Sequence, residues 1–222
     1  MKEVYFTPET IQERAADWKT KLQASSRLSR SQFLKEKAAL LILDMQDYFL
    51  DAESHAFVPS APAIIPGLNK LINIFESWDR PVFYSRHLNT KNNAGLMGSW
   101  WQDLITRDHP GSGLSSELDL KKGVIFEKSQ YDAFYQSNLE KKLTDFAVEQ
   151  LVIGGVMTHL CCETTARSGF VRGYQVFFLV EGTATYNQKF HQGAITNLGH
   201  GFSELTLVDD FLKIAKDTDG HS

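Results

Sequence analysis

Short apolar runs alternate along this chain with longer stretches of helical periodicity, and this alternation constrains the fold most. The strand candidates, most of them continuously apolar, are Ala38–Asp44, Pro81–His87, Gly123–Lys128, Gln150–Gly155, Tyr174–Glu181 and Glu204–Val208. Helices are predicted between and after them at Pro62–Ser77, Ser137–Val148, His159–Arg172, Gln188–Gly201 and Asp209–Lys216. Such alternation is typical of repeated βαβ units around a parallel sheet, so we predict a three-layer α/β sandwich.

Residues 1–36 precede the first predicted strand and form an amphipathic extension, for which we predict a helix. Thr7 followed by Pro8 and Glu9 is a helix start signal. We expect the extension to pack on the core or on a partner subunit, and the alternative is a part in substrate closure. Residues 37–222 are predicted to form a single domain.

Composition limits the possible partners. With 222 residues, 42% of them hydrophobic, the chain can bury one sizeable core. A net charge of -4 gives no basic surface for nucleic acid, and no apolar run reaches the roughly 20 residues of a membrane span. We therefore expect a cytoplasmic protein that acts on a small molecule. Its two cysteines, Cys161 and Cys162, are adjacent and are expected to be free thiols.

Three polar residues end or follow predicted strands: Asp44, Lys128 and Cys161. Ligand sites of open parallel sheets lie beyond the carboxyl ends of the strands, so we expect the three to converge. Taken singly, each has an ordinary alternative, namely a helix cap, a solvated lysine and a buried core cysteine. As a set they suit nucleophilic catalysis, in which a helix N-terminus and a lysine lower the pKa of the thiol and a carboxylate accepts its proton.

Gly154 and Gly155 lie at the end of the fourth predicted strand. Glycines allow close backbone approach, and the unpaired N–H groups of the helix that follows can form an oxyanion hole. The alternative is that both glycines serve only the turn.

Three motifs occur in order along the chain: ALLILDMQDYF, FEKSQYDAFYQSNLEKKL and VIGGVMTHLCCETTARSGFVRGYQVFFLVEGTAT. From about Ala38 to Phe211 the chain thereby resembles the isochorismatase-like hydrolase superfamily, the cysteine hydrolases that include nicotinamidases, N-carbamoylsarcosine amidases and ureidoacrylate amidases. The resemblance implies a Rossmann-like, six-stranded parallel sheet and a homo-oligomer, either a dimer or a tetramer. It also implies a catalytic triad at Asp44, Lys128 and Cys161.

The same resemblance implies a cis peptide bond between Val156 and Met157. That bond would turn the Met157 N–H toward the N–H of Cys161, and the two would form the oxyanion hole. Cys162 falls at a position that is usually apolar in the family and is predicted to be core.

Departures from the family pattern narrow the expected chemistry. The metal-binding Asp-x-His element of nicotinamidases has no matching Asp after the second strand in this chain. His87 is expected to be a pocket or hydrogen-bonding residue there, so we predict no metal and no cofactor. Isochorismatases typically have Gly at the place of Cys161. We therefore predict hydrolysis of an amide or carbamoyl C–N bond through a thioester. The alternatives are vinyl ether hydrolysis with Asp44 as general acid, and a scaffold domain without catalysis.

Substrate contacts are predicted from residues near the motifs. The long excursion His87–Leu118, which carries Trp100 and Trp101, is expected to form a lid or pocket wall. The candidate pocket residues, for which core packing is the alternative, are Phe49, His87, Trp101, Tyr131, Phe134 and His159.

Overall fold

A computed structural model describes residues 1–23, 32–101, 103–120 and 123–219 of the chain, with the backbone alone for residues 217–219. In these segments six parallel strands form one sheet in the order β3-β2-β1-β4-β5-β6. The strands are β1 (Ala38–Leu43), β2 (Val82–His87), β3 (Val124–Lys128), β4 (Gln150–Val156), β5 (Gln175–Ala184) and β6 (Glu204–Thr206). The predicted parallel sheet is confirmed.

Helices flank this sheet, and the predicted three-layer α/β arrangement is confirmed. They are α1 (Ile11–Gln23), α2 (Asp47–Leu50), α3 (Ala61–Ser77), α4 (Met97–Trp100), α5 (Leu139–Asp145), α6 (Glu163–Val171), α7 (Gln188–Gly201) and α8 (Val208–Asp219). Helix α3 packs against α8, and α6 packs against α7. Within the segments that the structure describes, none of these helices is both long and apolar enough to span a membrane.

Several elements differ from their predicted bounds by one or more residues, and strand β5 runs three residues further, to Ala184. Two helices differ for a visible reason. The helix predicted to end at Val148 ends at Asp145, because Ala147 takes a left-handed conformation with a φ of 50° that no α-helix continues through. The helix predicted to begin at His159 begins instead with a π-helical turn, Thr158–Cys162, and continues as α6. This turn carries both cysteines.

Strand β1 lies inside the sheet between β2 and β4, and all six of its residues are buried. At its carboxyl end Leu43 pairs with Gly155 of β4. A Cβ atom on Gly155 would lie 2.1 Å from the carbonyl oxygen of Leu43, and the φ of Gly155 is 109°. Only glycine fits there, so the two strands come unusually close at the edge where the polar residues follow.

The N-terminal extension packs on the main core. Its buried apolar residues belong to the same cluster as the strands, and they are Tyr5, Phe6, Ile11, Ala15 and Trp18. Helix α1 covers only part of the predicted amphipathic stretch, and residues 24–31 of that stretch lie outside the described residues. The boundary predicted at residue 36 stays a prediction.

Candidate active site

The three polar residues predicted from strand ends meet at the carboxyl edge of the sheet. Lys128 is the last residue of β3, and Cys161 lies in the π-helical turn after β4. Asp44 follows β1 with a φ of 51°, a left-handed conformation that Asp tolerates better than most residues. Because this conformation turns the chain out of the strand, Asp44 lies beyond β1 and not at its end as predicted.

A buried ammonium group links a carboxylate and a thiol. The Nζ atom of Lys128 lies 2.8 Å from Oδ2 of Asp44, and both side chains are 0% exposed. The same Nζ donates to Sγ of Cys161 at 3.3 Å. The three side chains therefore form one group within hydrogen-bond distance.

Ser85 of β2 holds the carboxylate of Asp44 in place. The backbone N–H of Asp44 donates to Oγ of Ser85 at 3.1 Å, and the Ser85 hydroxyl donates to Oδ1 of Asp44 at 2.6 Å. Ser85 is fully buried, so its rotamer is fixed. Oδ1 is thereby engaged, and Oδ2 faces Lys128.

His87 accepts a hydrogen bond from Lys128, and Asn89 fixes the tautomer that makes this possible. The amide nitrogen of Asn89 donates to the carbonyl of Ser129 at 2.9 Å, which turns Oδ1 of Asn89 toward Nε2 of His87 at 2.8 Å. Nε2 must then carry the proton, and the unprotonated Nδ1 lies 3.2 Å from Nζ of Lys128.

Lys128 donates a further hydrogen bond to the carbonyl of Gln130 at 2.9 Å. Its ammonium group thus has three protons and four acceptors, which belong to Asp44, Cys161, His87 and Gln130. Burial alone would lower the pKa of Lys128, but the charges of Asp44 and Cys161 raise it well above the usual range. The lysine is a permanent cation at this site.

The possible metal ligands in this group do not fit a metal ion. Atoms of Asp44, His87 and Cys161 that could ligate a metal lie within 4.8 Å of one another. The ammonium of Lys128, however, already lies among them, and both ring nitrogens of His87 are engaged. A divalent cation there would have to displace the ammonium group against its charge.

The protonation state of the thiol differs from our expectation. Burial raises the pKa of Cys161 to about 12; the Asp44 carboxylate adds to the rise, and the Lys128 ammonium opposes it. The predicted lowering of the thiol pKa is therefore wrong for the resting protein. With a carboxylate and an ammonium already paired, a thiolate would leave one uncompensated negative charge in a buried site.

The turn that carries Cys161 begins at an unusual peptide. The bond between Val156 and Met157 is cis in the structure. The carbonyl of Met157 accepts the N–H groups of Leu160 at 3.0 Å and of Cys162 at 3.2 Å, the residues on either side of Cys161. Cys162 itself is fully buried in the apolar core.

The excursion after β2 is tied to the site through Gln46. Its side-chain amide donates to the carbonyl of Ser112 at 2.9 Å and to that of His87 at 3.2 Å, while its Oε1 accepts the His87 N–H at 2.7 Å. Gln46 also forms an isolated antiparallel bridge with Leu114. The excursion therefore returns to the polar edge of the sheet.

Of the predicted pocket residues, Trp101 and Tyr131 bond to each other, and His159 lies on the turn that carries the thiol. The indole N–H of Trp101 donates to the hydroxyl of Tyr131 at 2.8 Å. Burial raises the pKa of Tyr131, and the hydrogen bond from Trp101 opposes this rise. His159 lies two residues before Cys161 in the π-helical turn.

Two other candidates, Phe134 and Phe49, contact apolar and aromatic side chains. Phe134 packs against Tyr174 and lies 4.9 Å from the guanidinium of Arg172. Phe49 packs against both the main core and a small apolar cluster, with its ring centroid 5.1 Å from that of Tyr48. Neither contact involves the triad, and core packing describes both residues.

The residues that hold the triad in place, namely Ser85, Asn89 and Gln46, were not predicted from the sequence. Ser85 gave a usable signal, since a hydroxyl inside the apolar run that forms β2 needs a buried partner. The other two gave none, because each acts through a backbone carbonyl whose position only the fold defines.

Buried histidines make stability sensitive to acid. Burial and the Lys128 ammonium lower the pKa of His87 from 6.5 to about 4. Because the pKa of His87 is lower in the folded state, the unfolded chain binds a proton that the folded chain does not. The free energy of unfolding is therefore highest above pH 6.5 and decreases as the pH falls toward 4. We expect the free energy of unfolding, measured in urea at several pH values, to decrease across this window. His87→Gln should reduce the slope by about one proton; equal slopes would contradict the assignment.

The fold and the site together define an α/β enzyme with a buried polar centre at the carboxyl edge of a parallel sheet. The isochorismatase domain family model matches residues 38–210. Nicotinamidase 3 of Arabidopsis thaliana is 34% identical over 177 residues, which are 78% of this chain and 85% of that protein. Enterobactin synthase component B of Escherichia coli K12 is 26% identical over 81% of this chain and 64% of its own length.

Solved structures agree on the fold. A cysteine hydrolase from Pseudomonas syringae pv. phaseolicola superposes with a TM-score of 0.81 at 23% identity, covering 87% of this chain and 99% of the other. The protein belongs to the isochorismatase family and is a hydrolase.

Proposed function

We propose that this hydrolase cleaves the C–N bond of a small amide or carbamoyl compound through a thioester on Cys161. The observation that carries the proposal is the buried group in which Lys128 Nζ lies 2.8 Å from the Asp44 carboxylate and 3.3 Å from the Cys161 thiol. A carboxylate, an ammonium and a neutral thiol in one dry site are suited to proton transfer coupled to nucleophilic attack.

In the first step Asp44 takes the thiol proton while sulfur bonds to the substrate carbonyl carbon. Before transfer the site holds Asp44 as an anion, Lys128 as a cation and Cys161 as a neutral thiol. After transfer the negative charge passes from the carboxylate to the sulfur and then to the carbonyl oxygen. The net charge of the site stays at zero, so this route avoids the penalty that raises the pKa of the thiol.

The remaining steps use the same carboxylate as acid and then as base. The carbonyl oxygen is stabilised by the backbone N–H groups of Met157 and Cys161, as the family resemblance implies. Protonated Asp44 gives its proton to the leaving nitrogen, the C–N bond breaks, and ammonia or an amine departs from the thioester. Water then gives a proton to Asp44 and attacks the thioester carbon. The acid is released, and the proton returns to Cys161.

Lys128 acts as a fixed cation in this scheme and not as a proton donor. Its four acceptors include His87 Nδ1 and the carbonyl of Gln130, which hold the ammonium between carboxylate and thiol. Because both ring nitrogens of His87 are engaged, we assign His87 to positioning Lys128, and any contact it makes with substrate is through the ring.

We propose a flat or compact substrate, for which aromatic side chains are predicted to form the pocket. Trp101 and Tyr131 form a hydrogen-bonded pair, and His159 adds a third ring on the turn. Nicotinamide and N-carbamoylsarcosine, for which two similar proteins are named, are compounds of this kind. The predicted homo-oligomer and cytoplasmic location stay predictions.

A substrate panel tests the proposal. Purified protein is incubated separately with nicotinamide, N-carbamoylsarcosine, ureidoacrylate and isochorismate, and release of ammonia and pyruvate is measured. We expect ammonia from at least one of the first three and no pyruvate. Pyruvate from isochorismate would support vinyl ether hydrolysis instead, and no product from any compound would contradict the amide and carbamoyl assignment.

A further inference from the structure

The first residues of the chain lie along the loop that joins β5 to α7. The backbone N–H of Glu3 donates to the carbonyl of Tyr186 at 2.8 Å, and the carboxylate of Glu3 accepts the N–H of Gln188 at 2.7 Å. This loop leaves the carboxyl end of β5, at the same edge of the sheet as the triad. The N-terminal segment therefore borders the active-site edge.

Tyr5 is the residue of this segment that enters the core. Its N–H and that of Phe6 both donate to Oγ of Ser60, at 2.9 and 3.0 Å. The Tyr5 ring is 2% exposed and packs with those of Phe6, Trp18 and His191. The position of the Tyr5 phenol is thus fixed by the hydrogen bonds of its backbone and by the packing of its ring.

The hydroxyl of Tyr5 joins two groups that hold the π-helical turn. It accepts the backbone N–H of Thr185 at 2.8 Å and lies 3.0 Å from Nδ1 of His191. Oγ1 of Thr158 lies 3.0 Å from the same Nδ1. The Tyr5 hydroxyl accepts the proton of the Thr185 N–H group. Its own proton is therefore donated to the pair formed by His191 and Thr158.

These contacts reach the start of the turn that carries Cys161. Thr158 is its first residue and is fully buried. His159, the second, bonds to the Thr185 hydroxyl at 2.6 Å. Both residues are therefore held by groups that contact Tyr5. Tyr5 itself lies outside residues 38–210, which are the residues that match the family model.

We propose that Tyr5 is a positioning residue for the turn Thr158–Cys162, acting through His191 and Thr158 on the backbone N–H groups proposed to bind the oxyanion. This inference rests on the proposed function. The N-terminal extension then contributes to catalysis through the hydroxyl of Tyr5, in addition to packing its apolar side chains on the core. Small displacements of an oxyanion-binding backbone reduce the stabilisation of the transition state more than the binding of substrate.

Tyr5→Phe tests the proposal, because it keeps the ring and removes only the hydroxyl. We expect kcat for the amide that the enzyme hydrolyses to fall about tenfold with KM within about twofold. The matched control is Tyr84→Phe, which removes another buried phenol hydroxyl, bonded to the carbonyl of Asp119 at 3.0 Å. The control should keep kcat. Equal kcat in Tyr5→Phe and wild type would overturn the inference.

A double-mutant cycle with Thr158→Val separates positioning from general loss of stability. If both hydroxyls act through His191, the double variant should lose little more activity than either single variant. Multiplicative losses would show independent effects and would overturn the proposed connection.

Hydrogen exchange gives a readout independent of any substrate. In Tyr5→Phe the amides of residues 157–162 should exchange faster than in wild type, whereas in Tyr84→Phe they should not. Faster exchange without any amide hydrolysis by the wild type would leave the positioning role standing and contradict only the proposed function. Unchanged exchange would contradict the positioning role whatever the enzyme hydrolyses.

Discussion

Replacing Cys161 with alanine is expected to lower kcat for C–N hydrolysis by about 10⁴-fold or more, because the nucleophile is lost and no thioester can form. The fold should remain, since the substitution removes one sulfur atom from a site whose charged pair, Asp44 and Lys128, stays intact. Ammonia release under saturating substrate, together with circular dichroism, measures both quantities.

The neighbouring cysteine provides the matched control. Cys162 is fully buried, and its Sγ lies 4.0 Å from the carbonyl of Gly154. Cys162→Ala should therefore keep kcat within about threefold while costing about 1 kcal/mol of stability for the cavity it leaves. Turnover that survives in Cys161→Ala would instead indicate that Asp44 works without the thiol, as in the vinyl ether alternative.

Replacing Lys128 with methionine should lower the free energy of unfolding by about 3–5 kcal/mol, because it leaves the Asp44 carboxylate buried without a counter-charge. The Asp44 carboxylate would keep the hydrogen bond that it accepts from the Ser85 hydroxyl. Activity should be lost as well, since the negative charge of the site would no longer be balanced. Urea unfolding at neutral pH gives the stability change.

Lys37→Met is the matched control for charge removal. Lys37 pairs with Glu149 at 2.7 Å, but the side chains are 39% and 64% exposed. Removing that exposed pair should cost less than about 1 kcal/mol. A second variant, Asp44→Asn combined with Lys128→Met, should recover part of the stability lost in Lys128→Met. Equal effects of Lys37→Met and Lys128→Met would contradict the assignment of a buried ion pair.

Much of the fold could be predicted because each strand is an apolar run, and a parallel sheet covered on both faces requires such runs. Residues predicted to lie in β1, β2 and β4 do so, with differences of a residue or so at the ends. The helix α5 was predicted too long, since the left-handed conformation of Ala147 has no glycine or asparagine to indicate it.

The candidate site could be predicted in part. Strand ends indicated Asp44, Lys128 and Cys161, which the structure places within hydrogen-bond distance of a shared ammonium. The thiol pKa was predicted in the wrong direction, because a helix N-terminus and a lysine are visible in a sequence whereas full burial beside a carboxylate is not. For the same reason the partners that fix the triad, Ser85 and Asn89, became apparent only from the fold.

The bridging amide of Gln46 has a consequence for redesign of the enzyme. It joins the backbone of His87 to that of Ser112, so the two ends of the excursion are connected to the residue that positions Lys128. Exchanging the whole excursion for that of a relative would release His87 and disturb the charged centre. Transplants confined to the stretch between residues 90 and 108, with Ser112 and Leu114 kept, would change the predicted pocket wall and keep the hydrogen bonds of Gln46 to His87 and Ser112.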